Sequence, residues 1–255
     1  MASPASWHGP SNNQILSATV GRHGSTCLGI DSRGRVGILT NVYTQETDNN
    51  NNSHQRIQNS SRGRLIKDFL EGDLNASDYL EEVRDSGKFA HPFNLCLLEP
   101  RLDGNGLISY TRDAMTHQDG ISALVSLRSD TWAMGNTRLD RDPWSKTSQG
   151  LQSFGELVNN QDLGDIELEA ALFELMQERK CYFPDRQLLR QGGGRRLSSL
   201  FLEYDPAAFS TLSQTVILVD EDGVVSYTER SKRGLESEEW TERRFRFQIQ
   251  SLSYA

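Results

Sequence analysis

The chain is short of cysteine, of long apolar runs and of basic charge, and each shortage closes off a class of function. Its three cysteines, Cys27, Cys96 and Cys181, lie far apart, and none belongs to a Cys-x-x-Cys pair. That pattern signals neither a zinc knuckle nor a redox dithiol, and an odd count suits an intracellular protein. The five histidines (His8, His23, His54, His91 and His117) show no metal-ligand spacing, so no metal site is expected. No stretch approaches the ~20 consecutive apolar residues of a membrane-spanning helix. The N-terminus, Met1-Ala2-Ser3-Pro4-Ala5-Ser6-Trp7, has neither the basic start nor the apolar core of a secretory signal. Residues 1–20 contain no Arg, unlike a mitochondrial transit peptide. Lys and Arg total 27 against 35 Asp and Glu, a net charge of −8. Nucleic-acid binding needs a basic face, so no nucleic-acid partner is expected. These absences imply a soluble, acidic protein, cytoplasmic by default.

What is present is a mixture of short strands and helices in 255 residues, enough for one sizeable core. Residues 26–31 and 35–40 flank Ser32-Arg33-Gly34 and read as a hairpin, with a brief apolar segment at 15–18 before it. A polar stretch at 44–60, with the run Asn49-Asn50-Asn51-Asn52, reads as a mobile surface loop. Leu65, Ile66, Phe69 and Leu70 repeat at helical spacing. A second helix follows, capped by Asn75 or Ser77 and stopped by Gly87. Phe93-Asn94-Leu95-Cys96-Leu97-Leu98 reads as a buried strand, with further strands at 107–111 and 121–127. Asp142-Pro143-Trp144 predicts a cap, a proline at the first helical position and a helix to about Val158. The stripe Leu168, Ala171, Leu172, Leu175, Met176 marks a helix over 165–178, and such a stripe is core rather than a cofactor box. Residues 215–220 and 224–228 flank Glu221-Asp222-Gly223 as a second hairpin, and Phe245, Phe247 and Ile249 then alternate with polar residues. Strands and helices fall in blocks rather than in strict alternation, which predicts an α+β fold with mostly antiparallel sheets.

No nucleophile elbow, His-Glu-x-x-His or dinucleotide fingerprint occurs. The ligand-pocket candidates are polar residues at predicted element ends: Asn41, Arg62, Asn136 and Arg230. An Asn amide there can donate to a developing oxyanion. It can equally satisfy local backbone groups. Arg243, Arg244 and Arg246 admit two readings as well, a basic face that docks an acidic partner or a solvated strand face.

Several segments in order resemble one family. They are Leu28-Gly29-Ile30, Arg33-Gly34-Arg35, Leu39-Thr40-Asn41, Ser61-Arg62-Gly63-Arg64-Leu65, Phe93-Asn94-Leu95, Gly135-Asn136, Asp142-Pro143-Trp144-Ser145-Lys146, residues 215–220 and Thr228-Glu229-Arg230-Ser231. Together they resemble the transport and Golgi organisation protein 2 family, also named for an Asn-Arg-Asp-Glu motif. The match runs from about Trp7 to the C-terminus as one domain over 1–255. The family is similar to N-terminal nucleophile hydrolases, which implies a four-layer αββα sandwich. In that pattern a Cys after the initiator Met is the nucleophile, and Asn41 and Asn136 stand at oxyanion and substrate-pocket positions.

Here Ala2 follows Met1, and the chain reads as starting downstream of the Asn-Arg-Asp-Glu motif. A sheet lacking that first strand is expected to expose an edge. Cys27, read as lying in a strand, has no free α-amine, so no catalytic residue is assigned. The resemblance then implies a non-catalytic intracellular protein of Golgi organisation and secretion, lipid homeostasis or haem trafficking, associated with mitochondria or Golgi. Its implied partners are haem as cargo or a lipid or acyl ligand, with His91 and Cys27 as axial candidates for haem. The alternative is a thiol amidohydrolase whose nucleophile lies in an N-terminal extension.

Overall fold

The computed structural model describes residues 2–9, 13–20, 25–44, 62–87, 89, 91–103, 106–126, 130–203, 210–234 and 237–250. Nearly all of the predicted mobile loop at 44–60 lies outside them. A seven-stranded antiparallel sheet runs in chain order: β1 (Ala2–His8), β2 (Ile15–Val20), β3 (Leu28–Asp31), β4 (Val36–Asn41), β5 (Phe93–Leu102), β6 (Ile108–Gln118) and β7 (Ile121–Val125). A second sheet holds β8 (Ser213–Val219), β9 (Val224–Lys232) and β10 (Trp240–Gln248) in the order β10-β9-β8. The helices are α1 (Gly63–Glu71), α2 (Ala76–Ser86), α3 (Ser145–Val158), α4 (Asp165–Met176) and the short α5 (Arg186–Arg190).

Strand alternation sorts the side chains into layers. Ile15, Leu39, Leu95, Leu97 and Met115 leave one face of the larger sheet and pack on Leu65, Ile66, Phe69 and Leu70 of α1 and Leu80 and Val83 of α2. Their chain neighbours Leu16, Ile30 and Val36 leave the other face and meet Val225 and Tyr227 of β9. Beyond the second sheet, Val216 and Leu218 of β8 pack on Phe154 and Leu157 of α3 and Leu168, Leu172 and Phe173 of α4. The layer order is therefore αββα, the expected α+β sandwich. β8 is apolar on both faces because helices cover one and a sheet the other, which explains its unbroken Thr-Val-Ile-Leu-Val run. Each fully buried Leu, Ile or Phe contributes about 1.5–3 kcal/mol. Among the described residues, the strands paired on one side only are β1, β7, β8 and β10, with no gap inside either sheet.

The predicted elements are present, with instructive differences. β1 was not foreseen. It pairs with β2 through an irregularity between Ser3 and Ser6 and is clamped from the second sheet. Glu229 Oε1 accepts the Ala5 N–H at 2.9 Å, Arg243 Nη1 donates to Ala5 O at 3.1 Å, and Trp7 meets Phe247 edge-on at 4.9 Å. Arg243 is thus engaged within the chain, as is Arg244, whose Nη2 lies 2.7 Å from Glu169 Oε1. The α2 cap is Asn75, whose side chain accepts the Asp78 N–H at 2.9 Å, and Gly87 ends the helix at φ 60°. The α3 cap is not Asp142. Asp185 reaches across from the start of α5 to take the Ser145 N–H, and its other oxygen accepts the Leu188 N–H at 2.8 Å. One buried carboxylate therefore caps two helices, while Asp142 accepts from Gln187 at 3.0 Å. Arg230 does not end its strand, because β9 continues to Lys232 under the β10 ladder. Cys27 lies just before β3, where the Thr26 hydroxyl bonds to the Leu28 backbone and turns the chain.

Candidate functional site

The segment 132–142, between β7 and α3, separates two cavities, and Asn94 holds it in place. Asn94 interrupts the apolar β5 run and is fully buried. Its Nδ2 donates to Thr137 O at 2.7 Å and Gly135 O at 3.2 Å, and its Oδ1 accepts the Thr116 hydroxyl at 2.8 Å. Thr40 at the end of β4 adds a hydroxyl bond to Gly135 O at 2.8 Å. A buried amide in this position is retained only because every polar atom has a partner.

Residues 132–136 line the first cavity, of about 480 Å³, together with α3, the end of α4 and the start of β8. Its walls are mainly apolar: Trp132, Met134, Leu151, Phe154, Leu175 and Met176. Its polar groups are few, among them Asn136, Lys146 and Gln214. Gln214 is occupied, donating to Met176 O at 2.7 Å and accepting from Gln177 at 2.8 Å. Lys146 Nζ donates to Ser199 O at 3.1 Å and sits 5.4 Å from the centre of the Trp144 ring. Burial pushes the Lys146 amine down to about 8, with no charged neighbour contributing. The second cavity, about 970 Å³, is polar, lined by Thr137–Asp142 and by Tyr43, Gln118, Gln187 and Arg190. There Arg138 forks onto Asp140 at 2.7 and 2.8 Å, so part of its charge is already matched.

The structure gathers most of the sequence candidates at one end of the larger sheet. Asn136 lines the first cavity, and its Nδ2 donates to Asn41 O at 2.9 Å while its own carbonyl accepts the Tyr43 N–H at 2.8 Å. Asn41 itself is exposed at the end of β4. Arg62, at the start of α1, donates to Pro92 O at 2.9 Å, the same carbonyl that accepts the Val42 N–H at 3.3 Å. Burial lowers the Arg62 guanidinium and raises the nearby Cys27 thiol, each offset in part by the other. Cys27 as a residue is nonetheless exposed, and His91 is exposed beside Pro92. Asn41, Arg62, His91 and Cys27 line neither of the two cavities.

Arg230 stands apart on the second sheet. Its guanidinium lies 4.0 Å over the Phe173 ring and its Nε donates to Glu242 at 2.8 Å. Among the described residues no group of three His, Cys, Asp or Glu side chains could hold a metal ion. Two site residues escaped the sequence reading. Asn94 had a signal, a lone amide inside an apolar strand. Lys146 stood in the motif Asp142-Pro143-Trp144-Ser145-Lys146, but nothing local marked it as buried, since a lysine on a helix is ordinarily solvated.

Comparison with known proteins follows the same segments. A family model described as Transport and Golgi organisation 2 matches residues 1–233. The Transport and Golgi organization protein 2 homolog of Homo sapiens is 30% identical over 249 residues, covering 94% of this chain and 85% of that protein. Its Bos taurus counterpart is 31% identical over 250 residues, again covering 94% and 85%. Matched along nearly its whole length by family model and relatives alike, the chain belongs to the Transport and Golgi organisation 2 family.

Proposed function

We propose that this chain is a non-catalytic trafficking or homeostasis protein that binds an apolar small molecule in the cavity beneath residues 132–136. The relatives' name points to Golgi organisation and transport. Secretion, lipid homeostasis and haem movement are the processes such a carrier would serve, in the cytoplasm with mitochondrial or Golgi association. No helix among the described residues is long and apolar enough to cross a membrane.

The observation that carries the reading is the cavity itself. About 480 Å³ walled by Trp132, Met134, Leu151, Phe154, Leu175 and Met176 matches the size and character of small-molecule sites, mostly apolar with few polar groups. Placing those side chains around an opening rather than against each other forgoes packing, which a bound apolar molecule restores.

Decanol, an uncharged apolar probe, tests this by calorimetry on the full chain. Saturable binding, abolished by Ala133→Trp with the circular dichroism unchanged, is the expected result. Absence of saturable uptake, or uptake that Ala133→Trp leaves intact, overturns it. Haem is tested separately. A Soret shift that His91→Ala removes would identify haem as cargo, and no shift at micromolar haem would eliminate it.

A further inference from the structure

Among the described residues that line the first cavity, Lys146 is the one charged side chain. Asn136 and Gln214 already spend their amides on backbone and side-chain partners. Lys146 does not. An ammonium has three donors, and Lys146 has one hydrogen-bond acceptor among the described residues, Ser199 O at 3.1 Å. No carboxylate of the described residues lies within ion-pair distance of it, although other basic residues, such as Arg138 with Asp140 and Arg230 with Glu242, have one. The Trp144 ring 5.4 Å away offers only a weak cation–π contact, and the indole N–H is tied to Gln191 at 2.6 Å. A half-buried cation without a counter-ion is costly unless something supplies the negative charge.

From this geometry we propose that Lys146 selects the cavity's occupant: an apolar molecule with a single acid group that pairs with the Lys146 ammonium. The inference rests on the cavity reading above and adds the head-group chemistry. A carboxylate and a phosphate monoester both satisfy it, since either supplies oxygens for the two unused donors. A covalent imine is less well served, because the lining named for this cavity holds no carboxylic acid to carry protons.

The test compares decanoate, decyl phosphate and decanol, which share one tail, by calorimetry on the full chain below their micelle concentrations. An acid head bonded to an otherwise unpaired cation should tighten binding by ~tenfold or more over decanol. Whichever acid binds tighter identifies the preferred head group. Lys146→Gln should bring the acids down to the affinity of decanol while leaving decanol unchanged, and Lys146→Arg should keep the preference. Lys146→Gln should also melt at or above the wild-type temperature, because it removes an unpaired half-buried charge. Equal affinity for acids and decanol, or a preference that survives Lys146→Gln, overturns the assignment of Lys146 but not the cavity. Failure of all three probes to bind overturns both.

Discussion

Replacing Arg35 by Met should cost this protein more stability than almost any other single change to a charged residue. Arg35 is 6% exposed and its Nε donates to Asp31 Oδ2 at 3.0 Å. Its remaining nitrogens spread over carbonyls at and beyond the end of α1: Phe69 at 2.8 Å, Leu70 at 2.9 Å, Gly72 at 2.7 Å and Leu74 at 3.2 Å. The guanidinium carbon also lies 4.6 Å from the centre of the Phe69 ring. A helix end leaves such carbonyls without intrahelical partners, and here one planar fork satisfies four of them. Removing it leaves Asp31, which is fully buried, with Arg33 as its remaining cation. Breaking a buried pair from one side costs about 3–5 kcal/mol. At ~2–4 °C per kcal/mol for a domain of this size, the melting temperature should fall by roughly 6–20 °C. Arg33→Met is the control. Arg33 shares the Leu70 and Gly72 carbonyls, but its side chain is 28% exposed and its second acid, Asp73, is 99% exposed. Its loss should cost only about 1–2 kcal/mol. Thermal and urea unfolding followed by circular dichroism measure both. A melting temperature for Arg35→Met within about 2 °C of wild type, or no lower than that of Arg33→Met, would refute the capping argument.

Asn94→Ala takes the amide donor from the Thr137 carbonyl and the acceptor from the Thr116 hydroxyl and should cost about 3 kcal/mol in a urea titration while abolishing decanol binding; an unshifted midpoint would contradict it. Burial raises the Glu229 carboxyl, against the Ala5 N–H and Arg243, and its Oε2 has no hydrogen-bond partner. A folded-state value above the unfolded one means that its contribution is complete below the unfolded pKa and is lost as pH rises through the folded pKa. Glu229→Gln cannot ionise, so its melting temperature relative to wild type should improve as pH rises above the ordinary carboxylate value of 4.5 and through the raised folded one, and a constant difference would refute this. With the Lys146 amine at about 8, decanoate affinity should decline as pH passes that value while decanol affinity stays level. A decanoate profile as flat as that of decanol would count against the ion pair.

Much of the fold was legible in local pattern, because burial imposes a period on each strand and helix. Residues 65–70 repeat at helical spacing since one face of α1 meets the sheet, and Gly34 and Gly223 mark turns since both adopt positive φ, 84° and 80°. The run at 93–98 announced a covered strand, and the Asn within it was a visible trace of the site beside the pocket candidate Asn136. The resemblance carried by Arg33-Gly34-Arg35 was likewise legible as a motif, but its physical role was not. Those arginines cap a helix more than thirty residues further along the chain, a distance no local pattern encodes.

The remaining features depend on partners remote in sequence. β1 has little apolar alternation of its own; its Ala5 amide is taken by a carboxylate 224 residues away. Helix α3 begins where it does because Asp185, 40 residues on, accepts the Ser145 N–H, so the adjacent Asp142 lost the role that its position promised. Lys146 carries an ordinary helical lysine signature, and only the closure of α3 over Leu175, Met176 and Leu200 turns it into a cation without a counter-ion. Composition and periodicity thus determined the fold class and most element positions, because those follow from which residues avoid water, while the ordered motifs carried the family resemblance. Tertiary structure alone decided the long-range caps of α1 and α3, the first strand and the cavity's charge, because hydrogen bonds and desolvation act between atoms that the chain brings together only by folding.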